Sequence, residues 1–81
     1  ERLVHFLLTE ADKQGEAENF GIRLHLDLTR SQIAARIGTV REVVSRNLKR
    51  LQNEGMIEIE RRRFVIKDRE RLRKFVLREK N

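Results

Sequence analysis

Two helix-start signals lie only ten residues apart in the middle of the chain and constrain the fold more than any other feature. Thr29 is followed by Gln32, and Thr39 by Glu42, which is the spacing of a capping box in both cases. Gly38 stands directly before the second box, where a glycine commonly ends a helix in the left-handed conformation. The sequence therefore predicts two short helices joined by a glycine turn, which is a helix-turn-helix unit.

Apolar residues recur at helical spacing in both predicted helices, and this spacing predicts which face of each helix is buried. The unit covers about residues 29–54, its second helix begins near residue 40, and Gly55 ends that helix. The positions predicted to be buried are Ile33, Ala34 and Ile37 in the first helix and Val40, Val43, Val44, Leu48 and Leu51 in the second.

The flanking segments add a helix and a strand before the unit, and a hairpin and a helix after it. Residues 2–13 have helical apolar spacing, 14–21 are polar and indicate a loop, and 22–28 alternate as a half-buried strand does. Residues 56–67 indicate a β-hairpin wing, and Asp68 is a candidate N-cap for a final helix over about 69–79. The apolar positions of that last helix are Leu72, Phe75, Val76 and Leu77.

These elements predict one domain over residues 1–81 of the α+β class, mainly α. Its architecture is a winged helix-turn-helix with a small antiparallel sheet and a β-hairpin wing. The opening residues enter a helical pattern at once without a start methionine. We therefore expect the sequence to be a piece of a longer chain.

Charge is distributed unevenly along the chain and gives the first indication of a partner. Residues 1–35 carry a net charge of −2 and residues 36–81 a net charge of +8. A basic half of this kind is typical of a protein that binds a polyanion, although it also suits a merely soluble surface.

The chain lacks the residues that are characteristic of several functional classes. The chain has no cysteine, no apolar run of the roughly 20 residues that span a bilayer, and no signal peptide. His5 and His25 have no carboxylate or cysteine at ligand spacing, and no nucleophile–base pair or carboxylate dyad is present. We expect a cytoplasmic protein that is not an enzyme, binds no membrane, and holds no metal or cofactor in this domain.

The exposed face of the second helix carries the residue types that read base edges. Arg41, Glu42, Ser45 and Arg46 share this face because steps of three and four residues along a helix connect the first two with the last two. An arginine can donate two bonds to guanine O6 and N7, and a glutamate can accept from cytosine N4. A solvated surface is the alternative for Arg46, and a capping role for Glu42 remains equally open.

Other polar and basic residues are predicted to bind phosphates rather than bases. A helix N-terminus favours an anion, and basic side chains beside a groove favour the DNA backbone. On the wing, charge at an exposed hairpin tip is the alternative for one or two of the three arginines. The predicted phosphate ligands are Thr29, Arg30, Ser31, Lys49, Arg50, Arg61, Arg62 and Arg63.

Three stretches of sequence strongly resemble the C-terminal domain of the Crp/Fnr family. They read LTRSQIA over 28–34, GTVREVVSRNLKRL over 38–51 and EGMI over 54–57. The resemblance implies a winged helix that binds double-stranded DNA, with Glu42 and Arg46 as the base-reading pair. Ser45 matches the Fnr-like variant and Arg41 the cyclic-AMP-receptor-like variant, so TGTGA-like and TTGAT-like half-sites of an inverted repeat both remain open.

The resemblance also implies features of the full-length protein. Family members usually act as homodimers that activate or repress transcription, with RNA polymerase as a candidate partner. Their N-terminal sensor domain is expected to be missing here, and its effector is unknown. The rival interpretation is a winged helix that docks an acidic protein, but the basic face lacks the aromatic anchors of such interfaces.

Overall fold

The part of the chain that the structure describes forms four helices and one four-stranded sheet. The structure is a computed structural model that describes residues 2–18 and 21–80. These elements confirm the predicted α+β class with a helix-turn-helix and a hairpin wing. Their bounds are α1 Arg2–Gln14, β1 Glu16–Glu18, β2 Gly21–His25, α2 Arg30–Ile37, α3 Arg41–Asn53, β3 Ile57–Glu60, β4 Arg63–Ile66 and α4 Arg69–Lys80.

The sheet is antiparallel throughout and has the strand order β1-β2-β4-β3. Leu24 of β2 lies opposite Phe64 of β4, and both side chains are buried. Their neighbours Arg23 and His25 are exposed, so the predicted alternation in this strand is confirmed. Because β2 pairs with β4, the wing is attached to the segment that leads into the helix-turn-helix.

The predicted loop over residues 14–21 is wrong in part, because Glu16–Glu18 form strand β1 at the edge of the sheet. Residues 19 and 20 of that loop lie outside the described residues. The strand is only three residues long and has the sequence EAE, which is too short to show an apolar alternation. It forms through backbone pairing with β2, and Glu16 adds an exposed ion pair with Arg23 at 3.0 Å.

Both ends of α2 form as the sequence predicts. The hydroxyl of Thr29 accepts a hydrogen bond from the amide of Gln32 at 3.1 Å, and the Gln32 side chain accepts from the Thr29 amide at 2.8 Å. At the other end, Gly38 is left-handed with φ 76° and ψ 40°. The first capping box and the glycine turn are therefore confirmed.

The second capping box, which was predicted from Thr39 and Glu42, is wrong. The Thr39 amide donates to the carbonyl of Ala34 at 2.9 Å, so Thr39 completes the end of α2 instead of starting α3. Val40 is the N-cap of α3, in extended conformation and without a side-chain capping bond. Glu42 is consequently the second residue of the helix and has no capping role there.

The core gathers the apolar faces of the helices against the sheet. Val40 was predicted to be buried, but its side chain is 62% exposed, since an N-cap residue lies outside the helical stripe. The side chains of Phe75, Val76 and Leu77 lie outside the described residues. The buried residues are Leu3, Val4, Leu7, Ala11, Leu24, Leu26, Ile33, Ala34, Val44, Leu48, Leu51, Met56, Ile57, Phe64, Ile66 and Leu72, with Ile37 and Val43 half-buried.

Arg2 ties the first helix to the turn of the helix-turn-helix, and this gives a test of the turn. Its guanidinium donates to the carbonyls of Ile37 at 3.2 Å and Gly38 at 3.1 Å. A β-carbon on Gly38 would stand 3.1 Å from that guanidinium and at a positive φ. We expect Gly38→Ala to lower the free energy of unfolding by about 1–2 kcal/mol, measured by urea denaturation.

Gly55→Ala is the matched control for this prediction. Gly55 also has a positive φ of 73°, but an added β-carbon would meet no atom within 4 Å. The control therefore reports backbone strain alone, and the excess loss in Gly38→Ala reports the contact with Arg2. Equal losses in the two variants would show that the Arg2 contact contributes nothing to the turn.

Candidate nucleic-acid interface

The polar face of α3 points away from the core because the opposite face is anchored in it. Val44, Leu48 and Leu51 are buried at helical spacing and fix the rotation of the helix. The predicted base-reading residues then lie on the solvent side, as the helical period requires. Arg41, Glu42, Arg46 and Lys49 are exposed and Ser45 is half-buried.

Glu42 and Arg46 are one helical turn apart, and both side chains are available to a ligand. Neither forms an ion pair or a side-chain hydrogen bond with any residue in the described part of the chain. The same spacing farther along α3 behaves differently, since Arg50 pairs with Glu54 at 3.5 Å. The helix thus presents a carboxylate and a guanidinium side by side at its N-terminal half.

A cleft of about 410 Å³ brings three separate elements together beside this helix. The N-terminus of α2, the first residue of α3 and the β3–β4 turn each contribute to its walls. Four of its lining residues are arginines, so the cleft is strongly cationic. Its lining residues are Leu28, Thr29, Arg30, Ser31, Arg41, Arg61, Arg62 and Phe64.

The N-terminus of α2 offers unpaired backbone donors at this cleft. The amides of Gln32 and Ile33 bond to Thr29, through its hydroxyl and its carbonyl respectively. The amides of Arg30 and Ser31 have no such partner among the described residues. Free amides at a helix N-terminus, together with the positive end of the helix dipole, favour an anion.

The three wing arginines are placed differently from one another. Arg61 has a positive φ of 60°, which is uncommon for a residue other than glycine. Arg62 forms an exposed ion pair with Asp27, while its carbonyl accepts from the Leu26 amide at 3.0 Å. Arg63 belongs to strand β4 rather than to the turn, and lines a separate groove with His25.

The predicted phosphate ligands therefore divide into two sets. Five of them line the cleft, namely Thr29, Arg30, Ser31, Arg61 and Arg62. The other three lie outside it, namely Lys49 and Arg50 in the C-terminal half of α3 and Arg63 at the start of β4.

One residue of this surface escaped the sequence interpretation. Val40 fits the apolar stripe by spacing, because it stands four residues before Val44. The glycine and the following threonine belong to the end of α2, which leaves Val40 as an extended N-cap residue. The side chain of an extended residue does not point in the direction that the helical spacing predicts. The glycine that ends α2 two residues earlier is the sequence signal that Val40 lies outside the helix.

Comparisons with known proteins agree with this geometry. Residues 1–75 match the family described as "Crp-like helix-turn-helix domain". The chain is 35% identical over 71 residues to a CRP-like cAMP-activated global transcriptional regulator of Mycobacterium tuberculosis, covering 88% of this chain and 32% of the regulator. The chain thus spans about a third of the length of the curated relatives it matches.

Two solved structures extend the comparison. The CO-dependent transcription factor CooA from Carboxydothermus hydrogenoformans superposes with a TM-score of 0.84 at 35% identity, covering 91% of this chain and 34% of CooA. FixK2 from Bradyrhizobium japonicum gives a TM-score of 0.78 at 28% identity, covering 90% of this chain and 35% of FixK2.

The family comprises transcription regulators rather than enzymes. Over residues 2–18 and 21–80, none of the helices combines the length and apolar character that crossing a bilayer requires. The match over nearly the whole chain, together with the superposition on regulators of known structure, establishes the class of domain. This chain belongs to the Crp/Fnr family and forms a Crp-like helix-turn-helix DNA-binding domain.

Proposed function

We propose that the domain reads TG-containing half-sites of an inverted repeat, with α3 lying in the major groove of double-stranded DNA. The observation that carries this proposal is the exposed pair of Glu42 and Arg46, one turn apart and without partners in the described part of the chain. In helix-turn-helix proteins the N-terminal half of the second helix contacts base edges. The pair occupies that half of α3.

Each residue of the face has a distinct role in the proposal. Arg46 donates two bonds to O6 and N7 of a guanine, and Glu42 accepts from N4 of a cytosine. Ser45 is half-buried and small, so it lets the helix approach the base edges while its hydroxyl remains adaptable. Arg41 lines the cationic cleft, where it joins the base-reading face to the phosphate-binding residues.

Phosphate contacts supply most of the affinity and hold α3 in register. In the cleft, the free amides of Arg30 and Ser31 donate to one phosphate, and the guanidinium groups of Arg61 and Arg62 neutralise its charge. To do so Arg62 exchanges its exposed partner Asp27 for the phosphate, a small cost because exposed ion pairs contribute little. Thr29 completes the proposed phosphate contacts of the cleft. Beyond the cleft, further phosphates are contacted by Lys49, Arg50 and Arg63.

Selection from a pool of random duplexes tests the proposed specificity. The expected result is enrichment of a TG-containing half-site, at low salt where phosphate contacts are strongest. Comparison of TGTGA-like and TTGAT-like duplexes then shows which half-site the Arg41 and Ser45 combination prefers. Equal binding to selected and random duplexes would contradict base reading, and no binding at low salt would favour docking to an acidic protein.

Arg61 provides a test of the phosphate contacts that leaves the fold intact. We expect Arg61→Asn to weaken binding to cognate and random duplexes equally and to reduce the salt dependence of binding by about one ion. Asparagine tolerates the left-handed φ of this position, so the free energy of unfolding should change by less than about 0.5 kcal/mol. Fluorescence titrations at several salt concentrations measure the slope.

Arg73→Gln is the matched control for the loss of one charge. Arg73 lies exposed on α4 and does not line the cleft. If the two variants lose the same affinity, net charge alone accounts for the effect and the cleft is not a phosphate site.

The full-length protein is proposed to be a cytoplasmic homodimer that regulates transcription. Two domains related by a two-fold axis fit an inverted repeat, and linking two half-site contacts raises the affinity without any new contact. Its relatives are named as cAMP-activated and CO-dependent, and this chain alone assigns no effector. RNA polymerase is the proposed protein partner at the promoter.

A further inference from the structure

Val40 is the one large hydrophobic residue that lies exposed among the described residues, with 62% of its surface open to solvent. It caps the N-terminus of α3 with φ −115° and ψ 158°, and its carbonyl accepts from the amides of Val43 at 3.1 Å and Val44 at 3.3 Å. These backbone bonds fix its position, while its side chain makes no capping bond.

Stability does not explain a valine in this position. Serine, threonine, asparagine and aspartate are preferred at an N-cap because their side chains accept from free amides of the first turn. Valine supplies no such acceptor and also leaves its methyl groups in water. A contact with a ligand would offset both costs, because it would bury the methyl groups that the free domain leaves exposed.

The place of Val40 in the fold identifies that ligand. Val40 directly precedes Arg41 and Glu42, at the end of α3 that enters the major groove in the function proposed above, and this inference rests on that function. Its two methyl groups offer nothing to a phosphate or to a polar base edge. In the major groove, the apolar group of the base pairs is the C5-methyl of thymine.

We propose that Val40 is a specificity-determining residue that packs on the C5-methyl group of a thymine next to the bases read by Glu42 and Arg46. It adds to the hydrogen-bonded readout an apolar contact that distinguishes thymine from cytosine and from uracil. The contact selects one further base of the half-site without any polar group.

Deoxyuridine substitution tests this contact, because uracil lacks only the methyl group. Each thymine of the selected half-site is replaced in turn, and binding of the wild-type chain and of Val40→Ala is measured for every duplex. We expect one substitution to weaken wild-type binding about three- to fivefold, which corresponds to loss of one buried methyl group. Val40→Ala should bind this deoxyuridine duplex as tightly as it binds the duplex with thymine.

Val40→Ser separates recognition from folding. Serine restores a capping hydroxyl and removes both methyl groups, so this variant should be at least as stable to urea as the wild type. It should nevertheless lose the preference for thymine at the same single position. A loss of stability that parallels the loss of preference would overturn the inference.

The remaining outcomes are also decisive. If no deoxyuridine substitution distinguishes the wild type from Val40→Ala while sequence-specific binding persists, Val40 does not contact a methyl group. If Val40→Ala alters the oligomeric state in analytical ultracentrifugation, the residue serves a contact between copies and the inference is wrong. If the wild type prefers no sequence at all, the proposed function fails, and this inference fails with it.

Discussion

Replacing Arg46 with alanine is expected to reduce the affinity for a cognate half-site by about 1–3 kcal/mol, or roughly 5- to 150-fold. The Arg46 guanidinium is exposed and has no partner among the described residues, so no ion pair or side-chain hydrogen bond with them is lost in the variant. The loss should therefore come from the bidentate bonds to guanine. Titrations with cognate and random duplexes at the same salt concentration measure it.

Lys49→Ala is the matched control, since Lys49 lies three residues after Arg46 on α3 and is also exposed. A phosphate ligand contributes equally to all sequences, so Lys49→Ala should weaken cognate and random binding alike. Arg46→Ala should instead collapse the ratio between the two affinities. Equal losses on both duplexes would show that Arg46 binds only phosphate, and the proposal that it reads a base would be wrong.

Local signals in the sequence predict the helix-turn-helix because its determinants are themselves local. The reciprocal bonds of Thr29 and Gln32 and the left-handed Gly38 each involve residues at most a few positions apart. The same locality explains the error at Thr39, whose side chain suits an N-cap. The Thr39 amide donates to the carbonyl of Ala34, so Thr39 belongs to the end of α2. The local pattern does not reveal whether Thr39 or Val40 is the N-cap of α3.

Contacts between distant segments are not encoded in any local pattern. Strand β1 forms by pairing with β2, and Arg62 meets Asp27 because β2 lies beside β4. The cationic cleft depends on the same pairing, which carries the wing turn to the N-terminus of α2. Periodicity thus predicts the polar face of α3. Only the sheet register shows that Arg61 and Arg62 line the same cleft as Arg30, and that Arg63 does not line it.

Leu48→Ala is expected to have the largest effect on the fold, because the orientation of the whole polar face depends on the buried stripe of α3. Leu48 is only 1% exposed and stands between Val44 and Leu51 in the core. Removing such a side chain typically costs about 2–5 kcal/mol through lost burial and the cavity left behind. A domain of 81 residues has a total stability of only about 4–12 kcal/mol.

Urea unfolding measures the loss, and Leu48→Met, which nearly conserves the volume, serves as the control with an expected loss below about 1.5 kcal/mol.

DNA binding separates two consequences of the cavity. If α3 keeps its rotation in the molecules that remain folded, Leu48→Ala should bind with unchanged preference for the cognate duplex and with an affinity reduced only by the unfolded fraction. If the cavity lets the helix rotate, the preference itself should fall, as in Arg46→Ala, although every base-reading residue is present. A stability loss no larger than that of exposed Lys49→Ala would contradict the anchoring of α3 described above.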